Sequence, residues 1–353
     1  MQPIRVMIVE DSAVVCELLT HIIGHDPRLE VAVVFRDAEK AIAQLPHLKP
    51  DVISMDIRLP GMNGLEATRQ IMRSHPTPIV VVSGCLNDED LNIALNALKA
   101  GALSVIEKPV GTTHADYVNL AERLCTQLAI MSQVKVIRQK NVSQPDAVPT
   151  LSISPNLPFA ALGVAASTGG PQALIELFNG LGPQFPLPVL LVQHILPAFT
   201  DGFARWLAKT VPFDVCQVNT ITPLKPGTIY VPPADRHLVV SSRYASISAD
   251  PLVAAQRPSG TVLFRTMAKQ LGARGMGVVL TGMGNDGAEG LLALKQAGGY
   301  TLAEDASTAV VYGMPAAAIA CQAICKQMPL PALSKHIHQI LAKATQSITN
   351  LTQ

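Results

Sequence analysis

Three residues beyond position 160 have the types needed for covalent hydrolysis of an ester or amide: Ser167, His194 and Asp286. A serine hydroxyl is a poor nucleophile near neutral pH until a base takes its proton. An imidazole does this best when a carboxylate fixes its tautomer and stabilises the imidazolium. Each of the three follows a short apolar run: GVAAS ends in Ser167, VLLVQH ends in His194, and GVVL leads into TGMGNDG, which contains Asp286. If these runs are strands of one sheet, the three side chains arrive at one edge. Their order along the chain differs from those of the familiar proteases and hydrolases, but a triad is defined by geometry, so the order excludes nothing. Ser167 is followed by Thr168, Gly169, Gly170 and Pro171 and then by the helical stretch QALIELFNGL. Proline suits a first helical position, and the glycines let backbone amides approach a developing negative charge. The string is not a GxSxG elbow. By itself the turn reads equally well as a phosphate-binding or merely tight turn.

A rival chemistry occupies the same region. Gly282, Gly284 and Gly287 form a GxGxxG string after a strand and before a helix, and Glu304 and Asp305 follow at about the distance of a ribose-binding acid. Against a dinucleotide site, Asp286 would set a carboxylate beside a pyrophosphate, and Ser167 and His194 would have no task. NADH fluorescence on mixing distinguishes the two.

The first half carries a different set: Glu10 and Asp11 after one apolar run, Asp56 ending another, Ser83 ending a third and Lys108 ending a fourth. Carboxylates gathered in one crevice repel one another, and a hard divalent cation such as Mg2+ relieves that repulsion. Asp56 could then accept a phosphoryl group, with Lys108 pairing to its oxygens and the Ser83 hydroxyl bonding to them. Any one of these acids alone reads as a solvated strand end.

The elements that must position these residues come next. A length of 353 residues suggests two domains at ~150 residues each. Over the first 130 residues five β-branched runs alternate with amphipathic stretches: IRVMIVE, VAVVFR, DVISMD, PIVVVSG and SVIEKP, with helices at 12–24, 37–45, 64–74, 88–100 and from 114. This predicts a five-stranded parallel sheet, flavodoxin-like in order, with ligand chemistry at the carboxyl ends of the strands. Residues 126–157, polar and then rich in proline and serine, read as a linker. From 158 to 345 the alternation resumes as a second, doubly wound α/β domain, with antiparallel pieces expected around 228–248. Trp206 reads as a core contact of its helix, His237 as a structural hydrogen-bonding residue, and His336 and His338 as solvated.

Composition narrows the partners. Charged residues make up 15% of the chain and the formal net charge is +1, so no basic footprint for nucleic acid exists. Arg5, Glu10 and Asp11 interrupt any apolar leader and no stretch reaches ~18 apolar residues, which leads to the expectation of a cytoplasmic protein without membrane insertion. Cys16, Cys85, Cys125, Cys216, Cys321 and Cys325 include no CxxC pair and read as reduced packing residues. Cys321 and Cys325 would stack four apart on a helix without making a metal site.

Residues 3 to about 125 resemble the receiver domain of two-component response regulators, including Lys108-Pro109 and the loop MDIRLPGMNG. The resemblance implies phosphorylation at Asp56, a switch involving Ser83 and Lys108, and Mg2+ bound by Glu10, Asp11, Asp56 and the carbonyl of Arg58. Val105 stands where many receivers carry a switching aromatic. From 159 to about 325 the strings AASTGG, VQHILPAFT, YVPPADRH, RPSGTVLFRTMA, LTGMGNDGAEG and VVYGMPAAA resemble the catalytic domain of the chemotaxis protein-glutamate methylesterase family. This second resemblance implies a hydrolase that removes methyl esters from glutamates of chemoreceptor cytoplasmic helices and deamidates receptor glutamines, activated by a chemotaxis histidine kinase. Ser167 would be its nucleophile, His194 its base and acid, Asp286 its orienting carboxylate, and the amides of Thr168 and Met283 its oxyanion hole. In that family the unmodified receiver covers the catalytic face. Gln256 and Gly260-Thr261 depart from the family pattern, on what is expected to be the substrate side, with the chemistry untouched.

Overall fold

The structure, a computed structural model, describes residues 2–84, 88–109, 117–134, 136 and 159–351, with the backbone alone at 88–92 and 344–351. The chain forms two compact units, Met1–Val142 and Ser143–Gln353. The first runs β1 (Ile4–Val9), α1 (Ala13–Gly24), β2 (Leu29–Phe35), α2 (Ala38–Leu48), β3 (Val52–Asp56), α3 (Gly64–Ser74), β4 (Ile79–Ser83), α4 (Asp88–Lys99), β5 (Ser104–Glu107) and α5 (Tyr117–Met131). Its sheet has the order β2-β1-β3-β4-β5 with every pair parallel. That is the expected flavodoxin-like solution. Strands β3 and β4 are buried along their whole length, as apolar runs covered by helices on both faces must be. Ser12, Asp37 and Asn63 start their helices by accepting a backbone N–H in the first turn. The pairing of Val9 with Met55, Asp56 with Val82 and Ser83 with Glu107 brings the strand ends to one level. Helix α5 continues through Met131, and residues 137–158, where most of the expected linker falls, lie outside the described residues.

The second unit runs β6 (Ala161–Ala166), α6 (Gly170–Leu181), β7 (Val189–Gln193), α7 (Thr200–Thr210), β8 (Asp214–Gln217), β9 (Thr222–Pro223), β10 (Thr228–Val231), β11 (His237–Ser241), β12 (Tyr244–Ser248), α8 (Gly260–Leu271), β13 (Gly275–Val279), α9 (Ala288–Gln296), β14 (Tyr300–Glu304), α10 (Met314–Ala320), β15 (Lys326–Met328) and α11 (Leu330–Leu351). Seven strands form a parallel sheet in the order β15-β14-β13-β6-β7-β10-β8. From β6 the chain winds outward on one side through β7, then returns to add β13, β14 and β15 on the other. The crevice where direction reverses lies at β6, the place where open α/β sheets bind ligands. The antiparallel expectation holds for β11 and β12, which pair with each other in a separate small sheet that β9 joins through β12. It fails for Thr228–Val231, which joins the parallel sheet between β7 and β8.

Some side chains differ from their sequence reading. Cys321 follows the end of α10 and Cys325 sits in the turn before β15, so they share no helix. Cys325 Sγ instead accepts from the Thr301 hydroxyl at 3.3 Å. His338 is not solvated but buried, its Nε2 directed at the Gly180 carbonyl at 3.3 Å and its ring edge-on to Phe185, and burial holds its pKa below the ordinary value. His336 bonds the Tyr300 hydroxyl at 3.0 Å. His338 follows the buried Ser334 by one turn of α11 and shares its packed side, a face that its polarity concealed, whereas His336 is only partly covered. Trp206 is buried, as expected of a core contact. Among the described residues no helix is long and apolar enough to cross a membrane.

Candidate functional site

In the first unit the strand ends bring Glu10, Asp56 and Lys108 into direct contact. Lys108 Nζ lies 2.8 Å from Glu10 Oε2 and 3.0 Å from Asp56 Oδ2. Both carboxylates are buried. Burial raises the pKa of Glu10 and of Asp56, and the ammonium of Lys108 opposes the rise in each. Burial acts to lower Lys108, yet the two carboxylates outweigh it and hold the ammonium above its usual value. Asp11 is exposed at the rim, with ligand oxygens of Glu10, Asp11 and Asp56 within 4.8 Å of one another. This is the donor chemistry a hard cation requires. Arg58 contributes its N–H to the Asp56 carboxylate. Among the described residues Ser83 Oγ is buried without a hydrogen-bond partner, although it ends the strand beside Asp56. A hydroxyl buried in this way is costly unless a group arrives to bond it.

In the second unit Ser167, His194 and Asp286 follow β6, β7 and β13, and the pairing of Ala165 with both Val192 and Val279 sets these strand ends level. His194 Nε2 donates to Asp286 Oδ2 at 2.8 Å. A carboxylate can only accept, so the neutral imidazole carries its proton on Nε2 and presents Nδ1 as its base. Ser167 is half-buried, and no hydrogen bond joins it to His194 among the described residues. Its backbone is fixed closely: its N–H donates to Thr281 O at 3.0 Å, and its carbonyl accepts from Gln193 Nε2 at 2.8 Å. Gly169 adopts a φ of +78° to make the turn into α6. A side chain at Gly170 would run into the Gln193 carboxamide.

Asp286 is buried more deeply than its sequence position suggests. Its Oδ1 accepts from Ser259 Oγ at 2.6 Å and the Thr261 N–H at 3.0 Å, and its Oδ2 accepts from the Gly260 N–H at 2.6 Å as well as from His194. Burial would raise this carboxyl, but the hydrogen bond and charge of His194 and the donors of α8 outweigh it and hold the pKa at about 2. Gly260 and Thr261 therefore support the carboxylate directly, contrary to the expectation that they lie on the substrate side and leave the chemistry untouched. Sequence reasoning missed this role and those of Ser259 and Gln193. The available signal was Ser259 as the cap of α8, whose free N–H groups call for an acceptor. His237 is fully buried, donating to Pro251 O at 3.1 Å and accepting from Ser259 N–H at 3.2 Å, in line with the structural role expected of it.

The loop after β13 passes close to Ser167. A side chain at Gly282 would meet Ser167 Cβ at 2.7 Å. Among the described residues, the N–H groups of Thr168 and Met283 have no acceptor. The dinucleotide alternative fails here: Glu304 has no exposed surface with which to meet a ribose, and Asp286 fills the glycine-rich loop with negative charge.

A sequence model of the CheB methylesterase family matches residues 162–337, and one of the response regulator receiver domain matches 6–116. The protein-glutamate methylesterase/protein-glutamine glutaminase 2 of Paramagnetospirillum magneticum is 52% identical over 342 residues, 96% of this chain and 97% of that one. The chain belongs to the protein-glutamate methylesterase/protein-glutamine glutaminase family. A Myxococcus xanthus member of this family, number 4, is 41% identical over 340 residues, covering 95% of this chain and 96% of its own. The crystal structure of the Thermotoga maritima CheB methylesterase catalytic domain is 29% identical, with a TM-score of 0.50, covering 52% of this chain and 98% of that one. The alignments to both full-length relatives cover 95% or more of this chain and so span both of its units.

Proposed function

We propose that the second unit hydrolyses methyl esters of glutamates on chemoreceptor cytoplasmic helices, releasing methanol, and deamidates receptor glutamines. The observation that carries this reading is the hydrogen bond of 2.8 Å between His194 and Asp286 at the strand ends that also carry Ser167. Ser167 Oγ attacks the ester carbonyl carbon while Nδ1 of His194 takes its proton. Asp286 stabilises the imidazolium. The carbonyl oxygen becomes an oxyanion, which the N–H groups of Thr168 and Met283 receive. The tetrahedral intermediate collapses as His194 returns the proton to the departing methoxide, giving methanol and a glutamyl ester on Ser167. Water, deprotonated by His194, cleaves that ester to glutamate and restores the serine. A glutamine follows the same course with ammonia as the leaving group.

The first unit is the control element. Asp56 accepts a phosphoryl group from a chemotaxis histidine kinase, Lys108 pairs with the phosphoryl oxygens, and the buried Ser83 hydroxyl gains an acceptor. Glu10, Asp11, Asp56 and the carbonyl of Arg58 would hold Mg2+, which would neutralise the incoming charge. Receptor helices of this class lie in the cytoplasm, and the reading places the protein there, as a soluble partner of the receptor array.

The test is methanol release from methylated receptor fragments. Ser167→Ala should abolish it, a loss of at least ~10^3-fold, with the fold and Asp56 phosphorylation intact. Methanol release surviving in that variant would remove the serine mechanism.

A further inference from the structure

The mechanism leaves one fully buried acid unused. Glu304 ends β14 with no exposed surface, and its Oε2 accepts the N–H of Thr281 at 2.8 Å. Thr281 is itself fully buried and joins both parts of the nucleophile's surroundings. Its carbonyl accepts from the Ser167 N–H at 3.0 Å. Its hydroxyl donates to Thr168 O at 2.9 Å and accepts from Val311 N–H at 2.9 Å. Gly282, next in sequence, bonds its N–H to Val311 O and packs on Ser167. The peptide that Glu304 grips therefore sets where Ser167 and Thr168 lie, and it begins the loop that carries Met283.

We propose that Glu304 is a positioning residue for ester hydrolysis, fixing through Thr281 the turn of Ser167 and Thr168 and the start of the loop that carries the Met283 N–H. The proposal rests on the serine mechanism above. A group placed only to stabilise the core would have no cause to be an acid here. Burial, aided by the acids Glu176 of α6 and Asp305, pushes the Glu304 carboxyl up to about 7 against the lowering pull of the Thr281 N–H and the Thr308 hydroxyl. An acceptor oxygen aimed at the Thr281 N–H is what the site retains at that cost. Small misplacement of reacting groups lowers the rate of the chemical step more than it lowers binding.

The experiment uses the full chain with a small phosphodonor and follows methanol release from methylated receptor fragments in Glu304→Gln, Glu304→Met and Ser167→Ala. Gln keeps an acceptor oxygen; Met keeps the volume and removes it. Glu304→Met should lower kcat about tenfold or more with KM within about twofold, and Glu304→Gln should restore kcat to within about threefold. A wild-type kcat in the folded Met variant overturns the proposal, as does a Gln variant as slow as the Met one. If the Met variant does not fold, Glu304→Asp, which keeps the carboxylate but withdraws it by one methylene from the Thr281 N–H, should show the same kcat-selective loss, and a wild-type kcat there overturns the proposal. Activity persisting in Ser167→Ala would strike the serine mechanism itself, so the two failures are distinguishable.

Discussion

Asp286 receives donors from two directions: the imidazole it orients, and the first turn of α8 through Ser259, Gly260 and Thr261. Its pKa in the fold, about 2 against 3.8 for the ordinary carboxyl, ties stability to pH. The unfolded chain binds the proton more readily, so the stabilisation is fully present above about pH 4 and is lost as pH falls toward 2, amounting to about 2 kcal/mol. Wild-type melting temperature should therefore fall more steeply between pH 5 and pH 2.5 than that of Asp286→Asn, which cannot titrate. Parallel melting curves for the two would refute the linkage. At this scale the proposed triad was legible because Ser167 and His194 each end an apolar run and Asp286 lies in the loop that follows one. Their supports were not: Gln193 and Ser259 are ordinary polar residues until the fold brings a carbonyl or a carboxylate to them.

Helix α8 acts as an element, since its position sets the three donors at its start. Helix α9 packs against it so closely that a side chain at Gly290 would meet Thr261 O at 2.5 Å and Phe264 Cβ at 2.9 Å. Gly290→Ala should separate the helices, destabilise the fold by about 1–3 kcal/mol and lower kcat by disturbing Thr261. Denaturant unfolding and methanol release together check this, and an unchanged midpoint with an unchanged rate would sink it. The long parallel strands were readable because burial on both faces leaves continuous apolar runs. Strands β8, β9 and β15, with the sequences DVCQ, TP and KQM, have too few residues to show a period. The sheet that β10 joins is decided by its neighbours β7 and β8, which lie outside any local pattern.

For the whole molecule, the proposed phosphorylation at Asp56 would shift the hydrolase between less and more active populations. Removing residues 1–140 should give a domain more active than the unphosphorylated full chain. Asp56→Asn should leave the full chain unresponsive to a phosphodonor. A truncated domain no more active than the resting enzyme would refute restraint by the receiver. Sequence made both units readable, whereas the route by which a signal would leave the phosphosite past Val105 has no signature in residue pattern. The strand ladders add one consequence. Every strand of the first unit pairs within residues 4–107, and every described strand of the second pairs within 161–328. A genetic crossover falling between them breaks no ladder, so evolution can exchange the sensor for another receiver, or the hydrolase for another output, as an intact cassette.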